Sequence, residues 1–595
     1  MVNEISYPLI SLKWGGAAGD GLQSTGLLMQ KYFNSLGYSV FGIPGTQSTI
    51  RGGHVWQHLQ VAITRIDHFD EELDVLFALN KQTLDVHFNN VKNNGIIITN
   101  SDIVNTDEFN IKIVEKEIHL VSLPLTTNAR NIESRSLILA NTIAMGVFLK
   151  LFNLPIEQYH EILKKRFAKN SKILEYNLTA LQIGFNYNTE QDVSRRLGPS
   201  NGKLDNIVIN GNQMIALGAA ASGLKFLAQY PITPASSILT YLAMNAAKFG
   251  IIVRQAEDEL AAINMIIGAS FGGARAMTAS SGPGISLMAE AFGYASMTET
   301  PIVVVNSMRA GPSTGIPTKM EQADLLSMIS LSHGESPRAI FAPRNIEECF
   351  ELTVKAFNVA DKYQIPVIIL SDFALSEQTK NIPEVDLNIK INRGKIWQKP
   401  SSEFPKFKRF QFTEDGISPR AFPPTPEANY ILVGAEHDEE SHSLSGNRCG
   451  LPNSWTIREK MIEKRFKKVK KLEEELDGPE FYGSNDADYT IICWGSTQGA
   501  VNEAVDRLNK STKYSWNSLS FSNLFPIPIQ LTKEKLQQIK YSIMFEINYT
   551  NQFEQLLYLY VDWKVNNRIK HLNGETSTPN LIIKKIFQLE EFKNE

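Results

Sequence analysis

Three cysteines stand in 595 residues: Cys349, Cys449 and Cys493, far apart and in unlike contexts. An iron-sulfur cluster takes four thiolates, commonly with C-x-x-C spacing, so this chain holds no cluster by itself. Disulfides belong to oxidising compartments, and the three read as ordinary buried or partly buried thiols. Also missing is any apolar run of membrane-spanning length. The start, MVNEISYPLI, has no basic n-region followed by an apolar h-region. The expectation is a cytoplasmic protein with no membrane contact. An excess of positive charge is lacking too: Lys and Arg number 59 against 63 Asp and Glu, a net charge of -4, which argues against dedicated nucleic-acid binding.

What is present is length enough for several domains, with 43% apolar and 21% charged residues, a globular enzyme or enzyme subunit. Short strand-like runs alternate with helix-length amphipathic segments, which predicts a multidomain α/β fold. Between Tyr230 and Asp324 small residues crowd the loops: Gly272, Gly273, Ser280, Ser281, Gly282 and Gly284. In open α/β sheets ligands sit outside the carboxyl ends of the strands, where such loops let backbone N–H groups approach an anion. Glu257 follows the strand-like IIVRQA and precedes LAAINMIIGA, at a strand-to-helix junction. With Asp258 and Glu259 it either favours a helix N-terminus through the dipole or carries chemistry.

At the front, PLISLKWGGAAGDGLQSTGLLMQKYFNSLGY reads as strand, Gly-rich loop and helix. Gly15, Gly16, Gly19 and Gly21 either expose N–H groups as an anion site or make a tight turn that packs the helix on the sheet. The spacing is not G-x-G-x-x-G, which disfavours NAD. His54 and His58 alternate along a strand with no Cys or carboxylate at metal spacing, and no metal site is expected. LDVLFALN and SRSLILANTIAMGVFLKLF complete a Rossmann-like unit.

Several separated blocks, YPITP at 230–234, QAEDELAAIN, TASSGPGISLM and RAGPSTGIPTKMEQADL, resemble the α subunit of the 2-oxoacid:ferredoxin oxidoreductases, in the form with a γ-type domain fused in front. The resemblance covers nearly the whole chain. It implies a pyrimidine-side half of a thiamine diphosphate site here, with the diphosphate, Mg²⁺ and an iron-sulfur cluster on a separate β subunit. Glu257 would then hydrogen-bond N1′ of the aminopyrimidine, a role that calls for a desolvated acid. Thr233, with Tyr230 in the same motif, would bind the 2-oxoacid, and Arg309 would pair with its carboxylate, a guanidinium matching two oxygens. Lys319 is the second choice for that cation. The plainer reading of YPITP has Thr233 cap the following helix. Gly19-Asp20-Gly21 is not the metal-holding motif, because the downstream Asn it needs is absent. Arg51, in an RGG turn like that of the γ domain, and the Gly-rich loop would either cradle a phosphate of coenzyme A or pack structurally.

The resemblance implies a γ-type Rossmann-like domain over 1–190, a pyrimidine-binding type domain over 206–380 and a transketolase C-terminal-like domain over 486–595; composition and pattern place a linker over 191–205 and an extended arm with a charged helix over 381–485 between them. The arm contains an acid and His cluster, Glu436, His437, Asp438 and His442, read as a solvated loop. In the last domain Asn551 precedes Gln552 where the family usually has Gly; Asn tolerates left-handed backbone. The implied activity is CoA-dependent oxidative decarboxylation of a 2-oxoacid with reduction of ferredoxin, in partnership with the β subunit. Rival functions are a non-redox thiamine diphosphate carboligase subunit and a catalytically silent scaffold.

Overall fold

Val303–Met308 is buried at every position. A strand with no face turned to water belongs inside a sheet covered on both sides, the usual setting of parallel strands. It pairs in parallel with Arg275–Ser280 on one side and Val367–Asp372 on the other. The computed structural model describes residues 5–7, 9–45, 53–134, 138–188, 195–200, 202, 206–445 and 453–592.

The chain divides into two compact units, Met1–Ile209 with Gln378–Val385, and Asn210–Glu377 with Asp386–Glu595. In the first, an eight-stranded sheet runs His119–Leu123, Val91–Asn100, Leu73–Ala78, Leu9–Ala17, His54–Ala62, Ser39–Gly45, Thr379–Pro383, Asn206–Asn210. The first four are mutually parallel, the Rossmann-like half. His54–Ala62 and Ser39–Gly45 add an antiparallel half. Thr379–Pro383, which straddles the expected end of the central domain, joins this N-terminal sheet antiparallel to Ser39–Gly45. The wholly apolar middle of Leu139–Leu151 buries most of its residues against the core beneath the sheet.

In the second unit the central sheet runs Ile252–Gln255, Leu224–Gln229, Arg275–Ser280, Val303–Met308, Val367–Asp372, Ala339–Phe341, Asn523–Phe525. All are parallel except the last, which arrives from far down the chain and pairs antiparallel. A five-stranded sheet follows in the order Glu480–Tyr482, Trp516–Phe521, Tyr489–Trp494, Ser542–Glu546, Asn567–Lys570. Asn551 adopts φ 52° and ψ 64° at the start of Gln552–Leu556, so the turn usually made by Gly is kept.

The arm and the charged helix both pack onto the central domain. Buried Asp361 accepts from Arg275 at 2.8 Å and Arg420 at 2.7 Å and is ion-paired with Arg393 at 3.0 Å, which fastens the arm to the central domain. On Ser454–Glu475, Lys464 and Lys468 lie one turn apart and both reach buried Glu299, at 2.6 and 2.7 Å. The acid and His cluster is likewise engaged: Glu436 pairs with Arg465 and Arg458, and His437, wholly buried, packs against Phe410 with the rings tilted by 39°. Cys349 and Cys493 are buried and free, and Cys449 lies outside the described residues. Among the described residues no helix is long and apolar enough to cross a membrane.

Candidate functional site

Four neighbouring parallel strands of the central sheet end on the same side. Ile252–Gln255 leads to Glu257, Leu224–Gln229 to Tyr230 and Thr233, Arg275–Ser280 to Ser281 and Gly282, and Val303–Met308 to Arg309. The carboxyl edge of a parallel sheet is where such folds bind ligands. The topology therefore brings Glu257, Tyr230, Thr233 and Arg309 to one edge from separate stretches of sequence.

The three successive acids take three different places. Asp258 caps the helix Glu259–Phe271, its side chain accepting from the Ala261 N–H at 2.7 Å. Glu259 turns inward, is 6% exposed, and lies against Gly284, where a Cβ would displace it. Glu257 is exposed and has no hydrogen bond or ion pair among the described residues. Capping is done by one neighbour and packing by the other, so neither accounts for Glu257.

Thr233 and Arg309 meet through the backbone: Arg309 Nη1 donates to the Thr233 carbonyl at 2.8 Å. The Thr233 side chain does not cap the next helix; Ala235 occupies the cap position of Ser236–Phe249 with no side-chain bond. Thr233 is exposed, and Tyr230 is 39% exposed beside it. Arg309 forms no ion pair among the described residues, and its Nε is buried without a partner. Burial weakens the guanidinium's hold on its proton, and Asp324 opposes that effect. Asp324 is itself pushed up by burial, a shift the Asn306 hydrogen bond opposes, Glu321 reinforces and Arg309 opposes. The Asp324 carboxylate accepts from Asn306 Nδ2 at 3.0 Å. Lys319, in contrast, is ion-paired with Glu575, and the loop is pinned where Gly311 N–H donates to Glu321 at 2.7 Å.

Among the unpartnered buried polar atoms, Ser281 Oγ, Thr278 Oγ1, Asn306 Oδ1, Arg309 Nε, Asn212 Oδ1 and Gln229 Oε1 belong to the elements that meet at this edge. Buried polar groups without a bond are uncommon and ask for an explanation. Asp324, Asn212 and Gln229 were not singled out in the sequence. Asp324 sits inside a noticed block, whereas the two amides carry no motif.

In the first unit, the Gly-rich loop splits by role. A Cβ on Gly15 would collide with Thr83, so that glycine serves packing. Gly16 lies close to Asp20 and Leu22. Gly19 and Gly21 have φ of 105° and 80°, and Gly19 faces open space. The Asp20 carboxylate accepts from the Ala17 N–H at 2.9 Å, turned onto its own loop. His54 Nε2 lies 2.9 Å from His87 Nε2, and His58 Nε2 lies 2.7 Å from Ser11 Oγ. Arg51 falls outside the described residues.

Residues 217–447 match the family model described as "Pyruvate flavodoxin/ferredoxin oxidoreductase, thiamine diP-bdg". Residues 11–187 match "Pyruvate ferredoxin/flavodoxin oxidoreductase". Six of the seven strands of the central sheet lie within the segment that matches this thiamine diphosphate-binding domain. The chain is 31% identical to 2-oxoacid:ferredoxin oxidoreductase 2, subunit alpha, of Aeropyrum pernix, over 95% of each chain. It is 30% identical to the 2-oxoglutarate oxidoreductase subunit KorA of Mycobacterium tuberculosis, covering 87% of this chain and 82% of that one. A solved 2-oxoglutarate:ferredoxin oxidoreductase from Magnetococcus marinus, with 2-oxoglutarate, coenzyme A and succinyl-CoA bound, superposes with a TM-score of 0.88 at 30% identity, over 98% of this chain and 100% of that one. The chain belongs to the α subunits of the 2-oxoacid:ferredoxin oxidoreductases.

Proposed function

We propose that this chain, with a β subunit, converts a 2-oxoacid and CoA to an acyl-CoA and CO₂ and passes the electrons to ferredoxin. Mg²⁺, the diphosphate end of thiamine diphosphate and an iron-sulfur cluster belong to the β subunit in this reading, and the assembly works in the cytoplasm. Thiamine diphosphate, when bound, supplies the electron sink that a 2-oxoacid needs to lose CO₂. The observation that carries the proposal is Glu257: an exposed carboxylate with no structural duty, at the end of the edge strand, next to the strand that leads to Thr233 and on the same sheet edge as Arg309.

The residues fit the cofactor's pyrimidine side. Glu257 offers one unpaired carboxyl to a ring nitrogen, at an edge that a partner would cover. Arg309, lacking a carboxylate of its own, takes that of the substrate, and Thr233 with Tyr230 orients the reacting end. Lys319 is the weaker candidate because Glu575 already neutralises it. For coenzyme A, Gly19 and Gly21 are the proposed contacts in the Gly-rich loop; the Ala17 N–H is taken by Asp20.

The test is to purify the chain with its partner and measure CoA-dependent reduction of a low-potential acceptor across a panel of 2-oxoacids. Glu257→Gln should abolish turnover of the assembled enzyme; unchanged activity would sink the assignment.

A further inference from the structure

Three successive carbonyls of the YPITPA turn are each held by a different side chain. The Thr233 carbonyl accepts from Arg309 Nη1 at 2.8 Å, the Pro234 carbonyl from Asn212 Nδ2 at 2.9 Å, and the Ala235 carbonyl from Gln229 Nε2 at 2.9 Å. The donors come from three elements: the first turn of the helix Gly211–Ala221, the end of the strand Leu224–Gln229, and the loop after Val303–Met308. Asn212 spends a second contact on Ser237 Oγ, at 2.8 Å. Both amides are 0% exposed.

This arrangement has a cost. Asn212 Oδ1 and Gln229 Oε1 are buried with no donor among the described residues, and an unmet buried acceptor carries the full loss of its hydration. The adjoining helix does not explain them, since its free N–H groups need acceptors and both amides act here as donors. What they fix is the path of the backbone at Thr233, whose side chain is left exposed next to Arg309.

We infer that Asn212 and Gln229 are positioning residues of the 2-oxoacid site, holding the 233–235 turn so that the Thr233 hydroxyl and the Arg309 guanidinium act as one preset pair. The inference rests on the reading that Thr233 and Arg309 bind the substrate. Preset geometry is worth a great deal at a reacting site, where a displacement of about 1 Å costs on the order of a hundredfold. Loss of either amide should therefore be felt in the affinity for 2-oxoacid and not in that for coenzyme A.

Asn517 supplies a matched control. It is 1% exposed, donates to the Ser484 carbonyl at 2.6 Å and leaves its Oδ1 unpartnered, but it lies in the C-terminal sheet. In the assembled enzyme, Asn212→Ala and Gln229→Ala should each raise the KM for 2-oxoacid about tenfold with the KM for CoA unchanged. Asn517→Ala should lower the thermal midpoint similarly and leave both KM values alone. Should Asn212→Ala fail to assemble, Gln229→Ala and Asn212→Ser carry the test, the serine keeping one donor and giving a smaller rise. The inference falls if the Asn212 and Gln229 variants lose stability as Asn517→Ala does while the KM for 2-oxoacid stays put. If Thr233→Ala and Arg309→Ala leave that KM unchanged, the substrate reading fails and takes the inference with it.

Discussion

Lys464 lies 2.6 Å from Glu299, both buried and 165 residues apart in the chain. Lys468 joins from the next helical turn at 2.7 Å. Burial opposes ionisation of Glu299, but Lys464, Lys468 and Arg409 outweigh it and hold the carboxyl below the usual carboxylate range. Removing one member of a buried ionic group strands the others, at about 3–5 kcal/mol. Glu299→Gln should therefore destabilise the second unit by that order, read as a fall in the urea midpoint at unchanged slope.

The division of labour among residues 257–259 predicts a dissociation of stability from activity. Glu257→Gln touches an exposed, unpaired side chain and should leave unfolding free energy within about 0.5 kcal/mol. Asp258→Ala removes the cap bond to Ala261 and should cost about 1 kcal/mol, with turnover largely retained. Chemical denaturation of the two variants side by side checks this; equal losses would contradict the assignment of separate roles.

Asn551 tests the left-handed turn. At φ 52° a Cβ is tolerated at a cost that Asn partly offsets and Ala does not, so Asn551→Ala should lose about 1–2 kcal/mol. Asn551→Gly should match or exceed the parent in thermal unfolding.

Asp372 gives the chain a pH signature. Burial pushes its carboxyl up to about 6 from 3.8, opposed by the Leu375 and Ala374 N–H groups and the Ser496 hydroxyl. The folded state then binds this proton more tightly than the unfolded chain between pH 3.8 and about 6, so stability falls as pH rises through that window. Asp372→Asn keeps an acceptor for the Leu375 N–H and removes the titration. It should be neutral at pH 4 and stabilising by roughly 1–3 kcal/mol at pH 7.5. Urea midpoints across pH 4 to 8 would show a flattened profile, and a parallel shift at every pH would refute the account.

The alternation of strand and helix and the blocks at YPITP, Glu257 and Arg309 were legible in the sequence because they are local patterns. The four strand ends follow from them once the sheet is ordered. What stayed hidden depends on distant partners. Nothing in the run around Lys464 points to Glu299, 165 residues away, which the fold brings beneath it. The acids at 257–259 cannot be told apart without the extended backbone at Asp258, φ −158°, that makes it the cap. Thr379–Pro383 sits at an expected domain boundary, and its pairing with Ser39–Gly45 is invisible without the fold. Asn212 and Gln229 look like ordinary polar residues until the turn they grip is seen.

Asn523–Phe525 closes the far side of the central sheet against Ala339–Phe341, although about 180 residues separate the two. During synthesis, the sheet that carries Thr233, Glu257 and Arg309 is thus finished by a strand made about 180 residues after the one it pairs with. Until that strand emerges, Ala339–Phe341 presents free N–H and C=O groups to whatever approaches. Any chain stopped short of Asn523 would carry every residue of the proposed ligand edge and still offer its neighbours a sticky seam.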